Sequence, residues 1–283
     1  MPLLGAQFVV ALEASCVAGA AVSRGFGSPR IRSVARMPLA PGALAVSPFE
    51  PNVLRPEEVR EALARVAAAL GLGRAEACVV LPDGVARLVL LEVPADAVAE
   101  RFARFKLSGA LSYPVEEAVV DVLPLGGSRV LAAAVRRSVV EGYEQVARAA
   151  GVAQDRVDLA PLAALAALSR DAASSHPGVD VILGETSVSL AAWLGGSVRA
   201  FRNRRRDPSP DEPERLRLEV ARTAALAGDG VKPPRVRVLG PGASTLVRRW
   251  REEGGDAELA WRLAVPEQAP DAAELAWLGA VLA

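Results

Sequence analysis

Two apolar segments of this chain share one layout, and one of them stands near the start of each half. Each consists of an apolar strand, a turn of small residues and a second apolar strand, over residues 8–22 and 179–198. Short apolar runs that are bounded by turn residues are typical of buried strands. The pattern therefore predicts two related β-hairpins, each opening one half of the chain.

An amphipathic helix is predicted over residues 55–70. This segment has a proline in its first turn and apolar residues at helical spacing, and Gly71 follows it. Proline is favoured in a first helical turn and glycine just beyond the last one. The predicted apolar face consists of Val59, Leu63, Val66 and Leu70.

The rest of the chain alternates between the two periodicities, which indicates an α/β protein. Strands are predicted at 77–81, 86–93, 117–123, 130–135, 197–201, 235–239 and 258–263, and helices at 95–107, 138–150, 158–170, 214–227 and 271–282, with one more helix ending at Glu253. We expect the helix over 95–107 to bury Val98, Phe102 and Phe105. We expect residues 202–213 to form a surface loop.

The order of these elements predicts two domains. Residues 1–178 form the first and residues 179–283 the second, with a linker over 171–178. Between about 85 and 157 the order is strand, helix, strand, strand, helix, which can fold as a compact unit. We therefore predict an α/β subdomain inserted into the first domain over about 85–157.

Composition excludes several classes of function. The 283 residues carry no net charge, so no overall field favours nucleic acid. Apolar residues make up 51%, but no uncharged stretch reaches the roughly 18–20 residues that a membrane span needs. The N-terminus has no basic region of the signal-peptide type, and we expect a cytoplasmic protein. Cys16 and Cys78 lack metal-ligand spacing and His176 is the only histidine, so we expect buried, reduced cysteines and no metal site.

The segment 113–121, Tyr-Pro-Val-Glu-Glu-Ala-Val-Val-Asp, resembles the PilM family when read together with 130–137, Val-Leu-Ala-Ala-Ala-Val-Arg-Arg. PilM is the cytoplasmic actin-like protein of type IV pilus assembly, and it is similar to the cytoplasmic domain of the secretion protein GspL. Further matches are Leu81-Pro82, Glu92-Val93-Pro94, Gly151-Val152, Val157-Asp158 and the closing 277–282 segment. The resemblance covers most of the chain.

This resemblance implies an actin-like (ribonuclease H-like) two-domain fold, with the inserted subdomain in the position seen in the cell-division protein FtsA. It implies a scaffold at the cytoplasmic face of the inner membrane. The implied partner is a PilN-like single-span membrane protein, bound through its N-terminal cytoplasmic peptide, and an assembly motor ATPase is a further implied partner. We expect an extended peptide to pair with a strand edge in a groove of the first domain and its inserted lobe.

In actin-like ATPases the first strand of each hairpin ends in Asp-x-Gly, where the carboxylate holds magnesium and the glycine lets backbone N–H groups approach phosphate. Here the first hairpin has Glu13 and Ser15 at these positions, and the second has Ile182 and Gly184. Asp180 is two residues out of register, about 6–7 Å along the strand. Both phosphate motifs are therefore altered.

The Gly-rich turn that resembles the adenosine motif is better preserved, as Leu239-Gly240-Pro241-Gly242-Ala243. Such a turn suits a nucleotide, and it equally suits a tight connection between strand and helix. If ATP binds at all, the residues expected to contact it are Glu13, Ser15, Gly184, Gly240 and Gly242. We predict a pseudo-ATPase without catalytic residues, metal or obligatory cofactor.

Two alternatives remain for the function. One is an active actin-like ATPase or sugar kinase with atypical phosphate motifs, and the other is a cytoskeletal polymer. The basic run Arg202-Asn-Arg-Arg-Arg206 is interpreted as solvated, with an acidic partner or lipid headgroups as the alternative. No aromatic residue is interleaved with it to stack on bases. The sequence does not distinguish a pilus from a secretion or DNA-uptake machine.

Overall fold

The computed structural model describes residues 6–23, 30–169, 176–206, 209–228 and 235–259. The strands are β1 (Ala6–Leu12), β2 (Cys16–Ser23), β3 (Arg30–Pro38), β4 (Glu76–Leu81), β5 (Ala86–Glu92), β6 (Ala118–Pro124), β7 (Arg129–Arg136), β8 (Ala153–Leu159), β9 (Gly178–Leu183), β10 (Ser187–Leu194), β11 (Ser197–Arg205), β12 (Arg235–Leu239) and β13 (Ala257–Leu259). The helices are α1 (Pro56–Leu70), α2 (Ala99–Ser108), α3 (Arg137–Ala149), α4 (Ala160–Ser169), α5 (Glu212–Ala227) and α6 (Ala243–Glu252).

These elements form two compact units. Among the described residues, one unit contains 6–85 and 138–163, and the other contains 86–137 and 164–259. The first unit holds a five-stranded sheet in the order β3-β2-β1-β4-β8. The second holds a five-stranded sheet in the order β11-β10-β9-β12-β13 and a separate three-stranded sheet, β5-β7-β6. The domain boundaries 1–178 and 179–283, with the insertion over about 85–157, stay a prediction.

The two five-stranded sheets have the same topology. In each, three antiparallel strands follow one another in sequence, and two later strands pair parallel on the other side of the first strand. Antiparallel neighbours need only tight turns, whereas the parallel strands require helical crossovers. The predicted internal similarity between the two halves is therefore present in strand order as well as in the hairpins.

Both predicted hairpins are confirmed. In the first, Leu12 pairs with Val17 and the Glu13 N–H donates to the Cys16 carbonyl at 2.9 Å. In the second, Leu183 pairs with Val188 across the corresponding turn. The residues of both hairpins are almost all buried on both faces, which explains their continuous apolar sequence.

Helix α1 is confirmed as well. All four predicted core residues, Val59, Leu63, Val66 and Leu70, are buried. The helix ends at Gly71, which has a left-handed backbone and donates to the carbonyls of Ala67 and Ala68. Gly19 of β2 lies beneath it, where an added Cβ would stand 2.8 Å from Leu70 Cδ1. The predicted face of α5, formed by Leu216, Val220, Ala224 and Ala227, is also buried.

The predicted apolar face of α2 is wrong. The helix begins at Ala99 and buries Ala103 and Leu107 against the three-stranded sheet. Of the three predicted residues, Phe102 is half-buried, while Val98 and Phe105 are 65% and 71% exposed. Ala103 and Leu107 are four residues apart and so share a face. The small alanine lets the helix approach the sheet closely, and the larger Phe105 points away from it.

The predicted surface loop over 202–213 is also wrong for its first part, because β11 continues to Arg205. Arg202 Nη2 lies 2.9 Å from Glu219 Oε2 of α5, and Arg204 contacts the same carboxylate at 3.8 Å. A neighbouring acid makes arginine acceptable on this face of the strand. The basic run that begins at Arg202 therefore does not mark the end of β11.

No helix among the described residues is long and apolar enough to cross a bilayer. Both cysteines are buried and free, as predicted. The predicted strand over 258–263 is present as β13 in its described part. The helix predicted at 271–282 lies outside the described residues.

Candidate functional site

The turn of the first hairpin carries Glu13 and Ser15. Glu13 follows β1 directly and is 7% exposed, whereas Ser15 at the tip of the turn is exposed. The Ser15 carbonyl accepts a hydrogen bond from the Leu39 N–H at 2.8 Å, and the Glu13 N–H closes the turn on Cys16. Both contacts fix the turn internally.

The carboxylate of Glu13 lies near the hydroxyl of Tyr143, a fully buried residue of α3. Burial is the main cause that raises the Tyr143 pKa above its usual value, and the negative charge of Glu13 raises it further. Asn52 Nδ2 donates to the Tyr143 hydroxyl at 3.3 Å. Glu13 is thus part of a buried polar cluster inside the first unit.

The turn of the second hairpin carries Gly184. Its N–H donates to the Ser187 carbonyl at 2.9 Å, so this N–H is used to close the hairpin. Ile182 precedes it on β9 and is buried. Ile182 occupies the position at which the sequence comparison expected an aspartate, and Glu185 follows the end of β9.

Asp180, the nearest carboxylate on β9, is used inside the sheet. It is 1% exposed, and its two oxygens accept from Arg237 Nε at 2.6 Å and Arg237 Nη2 at 2.8 Å. Trp193 Nε1 donates to the same carboxylate at 2.6 Å. Three charge-assisted hydrogen bonds hold Asp180 in a structural role.

The Gly-rich turn joins β12 to α6 and lies against the second hairpin. Gly240 has φ of +104°, and an added Cβ would collide with the Leu183 carbonyl oxygen. Gly242 has φ of +82° at the start of α6. The close approach to Leu183 requires a glycine at 240 whether or not a nucleotide binds, so the tight-connection alternative accounts for this residue.

Arg206 connects the hairpin turn with the Gly-rich turn. Its Nη1 donates to the Gly184 carbonyl at 2.8 Å and to the Pro241 carbonyl at 3.2 Å. Its Nε and Nη2 donate to the two oxygens of Glu212 at 2.7 and 3.3 Å. We call this set of contacts the Arg206 brace. All three nitrogens of the guanidinium are engaged by the protein itself.

The Arg206 brace lies against backbone carbonyl groups of the hairpin turn and the Gly-rich turn. A phosphate needs N–H donors, and the two turns present carbonyl oxygens to Arg206. The side chains of Arg206 and Glu212 are 13% and 16% exposed, so the pair is largely withdrawn from water. The arrangement holds the two turns together without a ligand.

The structure therefore brings together three of the five predicted nucleotide contacts, namely Gly184, Gly240 and Gly242. Glu13 and Ser15 belong to the other unit. Sequence reasoning missed Arg206 and Glu212. The only sequence signal for this pair is the basic run that ends at Arg206. An acidic residue six positions later does not by itself predict an ion pair with it. No group of three or more His, Cys, Asp or Glu side chains arranged to bind a metal ion occurs within the described ranges.

Comparison with known proteins gives relatives by structure alone. No protein-family model matches the sequence, and no curated protein matches it. A chain of the PilM–PilN type IV pilus biogenesis complex aligns with a TM-score of 0.68 and 20% identity, over 98% of this chain and 97% of that one. The cytoplasmic domain of EpsL, an inner-membrane component of the Vibrio cholerae type II secretion system, aligns with a TM-score of 0.56 and 13% identity, over 98% and 94%.

A third structure, a Bacteroides thetaiotaomicron protein of unknown function with an actin-like ATPase fold, aligns with a TM-score of 0.60 and 8% identity, over 99% and 96%. The chain has the actin-like fold. The predicted fold class is thus confirmed, and the duplicated sheet order is its internal signature. The Arg206 brace lies at the turn of the second hairpin of this fold.

Proposed function

We propose that this protein is a non-catalytic scaffold of a type IV pilus or type II secretion-like assembly platform, at the cytoplasmic face of the inner membrane. Its partner is a PilN-like single-span membrane protein, bound through the N-terminal cytoplasmic peptide. The observation that carries the proposal is the alignment with the PilM–PilN complex over almost the whole of both chains. The alignment with the EpsL cytoplasmic domain supports the same class of machine.

The interior of the second unit supports a non-catalytic role. Magnesium at the second hairpin needs a carboxylate at the end of β9, where this chain has the buried Ile182. Asp180 is already neutralised by Arg237, and its removal from that pair would leave a buried cation without a partner. Phosphate transfer depends on N–H donors placed around the phosphate, and the Gly184 N–H is used to close the hairpin on Ser187.

The Arg206 brace supports the proposal in a second way. In a nucleotide-dependent member of this fold, bound ATP links the turns that contact it. Here the guanidinium links the hairpin turn and the Gly-rich turn through hydrogen bonds to Gly184 and Pro241. A permanent internal link suits a scaffold, since its conformation then does not depend on the nucleotide pool.

Co-expression tests the proposed partner. The protein is produced together with a full-length PilN-like protein, and membranes are isolated. We expect it in the membrane fraction, and we expect it to become soluble when the N-terminal cytoplasmic peptide of the partner is deleted. If it sediments equally well without that peptide, or never sediments, the partner assignment is wrong.

A further inference from the structure

The outer edge of β11 and one exposed face of α5 border a recess that the proposed function does not use. β11 is an edge strand: β10 lies on one side, and no strand pairs with the other side in the part of the chain that the structure describes. β5 approaches part of this edge, and the turn before β7 contacts its beginning, where the Val198 N–H donates to the Leu125 carbonyl. The edge from Arg199 to Arg205 lies beyond this contact.

Helix α5 packs beside β11 and presents a regular stripe to the recess. The stripe consists of Arg215, Leu218, Arg222 and Leu226, which follow one another at helical spacing of three or four residues. Leu218 is 50% exposed and Leu226 is 66% exposed. We call the outer edge of β11 together with this stripe the β11–α5 groove.

Two cavities follow one another along the groove. The first has a volume of about 430 Å³ and lies between the C-terminal end of β11 and the first half of α5. The second, of about 470 Å³, lies between Arg199–Asn203 of β11 and Ala86–Leu90 of β5, and Leu226 forms part of its wall. β5 is also an edge strand of its sheet. The second cavity is therefore bordered by two strand edges.

The groove is strongly basic in a chain without net charge. Five arginines and two glutamates line the first cavity, which gives a net charge of +3. The arginines are Arg204, Arg205, Arg206, Arg215 and Arg222. The second cavity adds Arg87 and Arg199 without an acid. Arg204 and Arg222 contact Glu219, and Arg206 is paired with Glu212. The net positive charge that remains attracts a ligand that carries several separated negative charges.

The spacing of the stripe matches an extended peptide. From Arg215 to Leu226 the helix rises about 17 Å, at about 1.5 Å per residue. A seven-residue strand covers about 20 Å, and its alternate side chains stand about 6.6 Å apart on one face. Basic and apolar residues alternate along α5, so acidic and apolar residues should alternate on the facing side of the peptide.

We propose that the β11–α5 groove binds an extended acidic peptide, which adds to the outer edge of β11. The backbone of the peptide pairs with β11. On one face its carboxylates meet Arg215 and Arg222, and its apolar side chains pack on Leu218 and Leu226. The other face is exposed to water. This inference stands apart from the PilN-like partner and concerns a second ligand.

The probe is a fluorescein-labelled peptide, Glu-Thr-Leu-Thr-Glu-Thr-Leu, blocked at both ends and titrated with the full chain by fluorescence anisotropy. We expect saturable binding below millimolar concentration that weakens as salt is raised. Replacing both glutamates of the peptide by lysine should abolish binding. Methylating alternate backbone nitrogens, which removes donors and keeps the charge, should weaken it at least about tenfold.

The protein variants locate the site. Arg215→Glu/Arg222→Glu and Leu218→Asp/Leu226→Asp should each weaken binding at least about tenfold, since they change the exposed residues of α5 that meet the peptide. The matched control is Arg65→Glu/Arg101→Glu, which reverses two exposed helix charges elsewhere and should leave the affinity unchanged. Thermal unfolding shows whether each variant folds.

Four results would overturn the proposal. They are the absence of saturable binding, equal binding of the N-methylated peptide, equal loss in the control variant, and binding to phosphatidylglycerol vesicles that depends on these arginines while the peptide does not bind. Dimerisation of the chain that the Leu218→Asp/Leu226→Asp change abolishes would assign the groove to a second copy and would also overturn it.

Discussion

Asp180 of β9 and Arg237 of β12 form a buried ion pair in the middle of the second five-stranded sheet, with both carboxylate oxygens engaged. The two residues stand opposite each other in the parallel ladder. A parallel neighbour therefore supplies the charge that makes a carboxylate tolerable between apolar strands. The pair links β9, the central strand of this sheet, to β12, which follows much later in the sequence.

Removing one partner of this pair should be costly. Arg237→Met leaves the Asp180 carboxylate buried without its cation, and we expect a loss of about 3–5 kcal/mol in the free energy of unfolding. The measurement is urea denaturation followed by Trp fluorescence. The control is Arg235→Met, on the same strand, whose pair with Glu258 is partly exposed and should contribute less than about 1 kcal/mol. Equal losses in both variants would contradict a special role for the buried pair.

The Arg206 brace should stabilise the second unit. Arg206→Met removes four hydrogen bonds and leaves Glu212 and two carbonyls without this donor, so we expect a loss of about 1–3 kcal/mol. Arg206→Lys keeps the charge but loses the planar fork, and it should recover only part of the stability. Arg249→Met removes a more exposed pair with Glu253 and serves as the control. If Arg206→Met is as stable as the wild type, the brace does not hold the two turns.

Gly240 should be sensitive to a single added methyl group. Gly240→Ala forces a side chain into the Leu183 carbonyl at a positive φ, and we expect a loss of at least about 2 kcal/mol. Gly127→Ala is the matched control, because Gly127 has φ of +60° but no atom near the added Cβ. The difference between the two melting temperatures isolates the close approach. If the two variants lose equal stability, the Gly-rich turn does not lie this close to Leu183.

The sequence predicts more of the fold than of the candidate site. The hairpins, α1 and α5 follow from apolar periodicity together with turn glycines, because burial of one face dominates their stability. The orientation of α2 was mispredicted because its largest apolar residues are not the ones that fit against the sheet. The Arg206 brace could not be predicted at all, since its partners Gly184, Glu212 and Pro241 meet only after folding.

Cys78 should make stability depend on alkaline pH. Burial raises the pKa of its thiol from 9.0 to about 11, although Arg156 Nε, which donates to the sulfur at 3.2 Å, partly offsets this. Because the folded pKa is the higher one, the contribution is fully present below pH 9 and is lost as the pH rises through about 11. Its size is about 3 kcal/mol.

The measurement for Cys78 compares unfolding free energies at pH 8 and pH 11 in the wild type and in Cys78→Ala. The wild type should lose more stability over this interval than the variant does. Thiol alkylation of the folded protein at pH 8 should be slow for the same reason. Identical pH dependences in the two proteins would mean that Cys78 does not titrate in this way.

Calorimetry with two ligands tests most directly whether the protein is a peptide-binding scaffold that works without nucleotide. The purified chain is titrated first with magnesium-ATP up to millimolar concentration, and then with the N-terminal cytoplasmic peptide of a PilN-like protein. We predict no heat of binding for magnesium-ATP and a saturable heat for the peptide. Tight ATP binding that Glu13→Ala abolishes, with no response to the peptide, would contradict the scaffold role and indicate an actin-like ATPase with an atypical site.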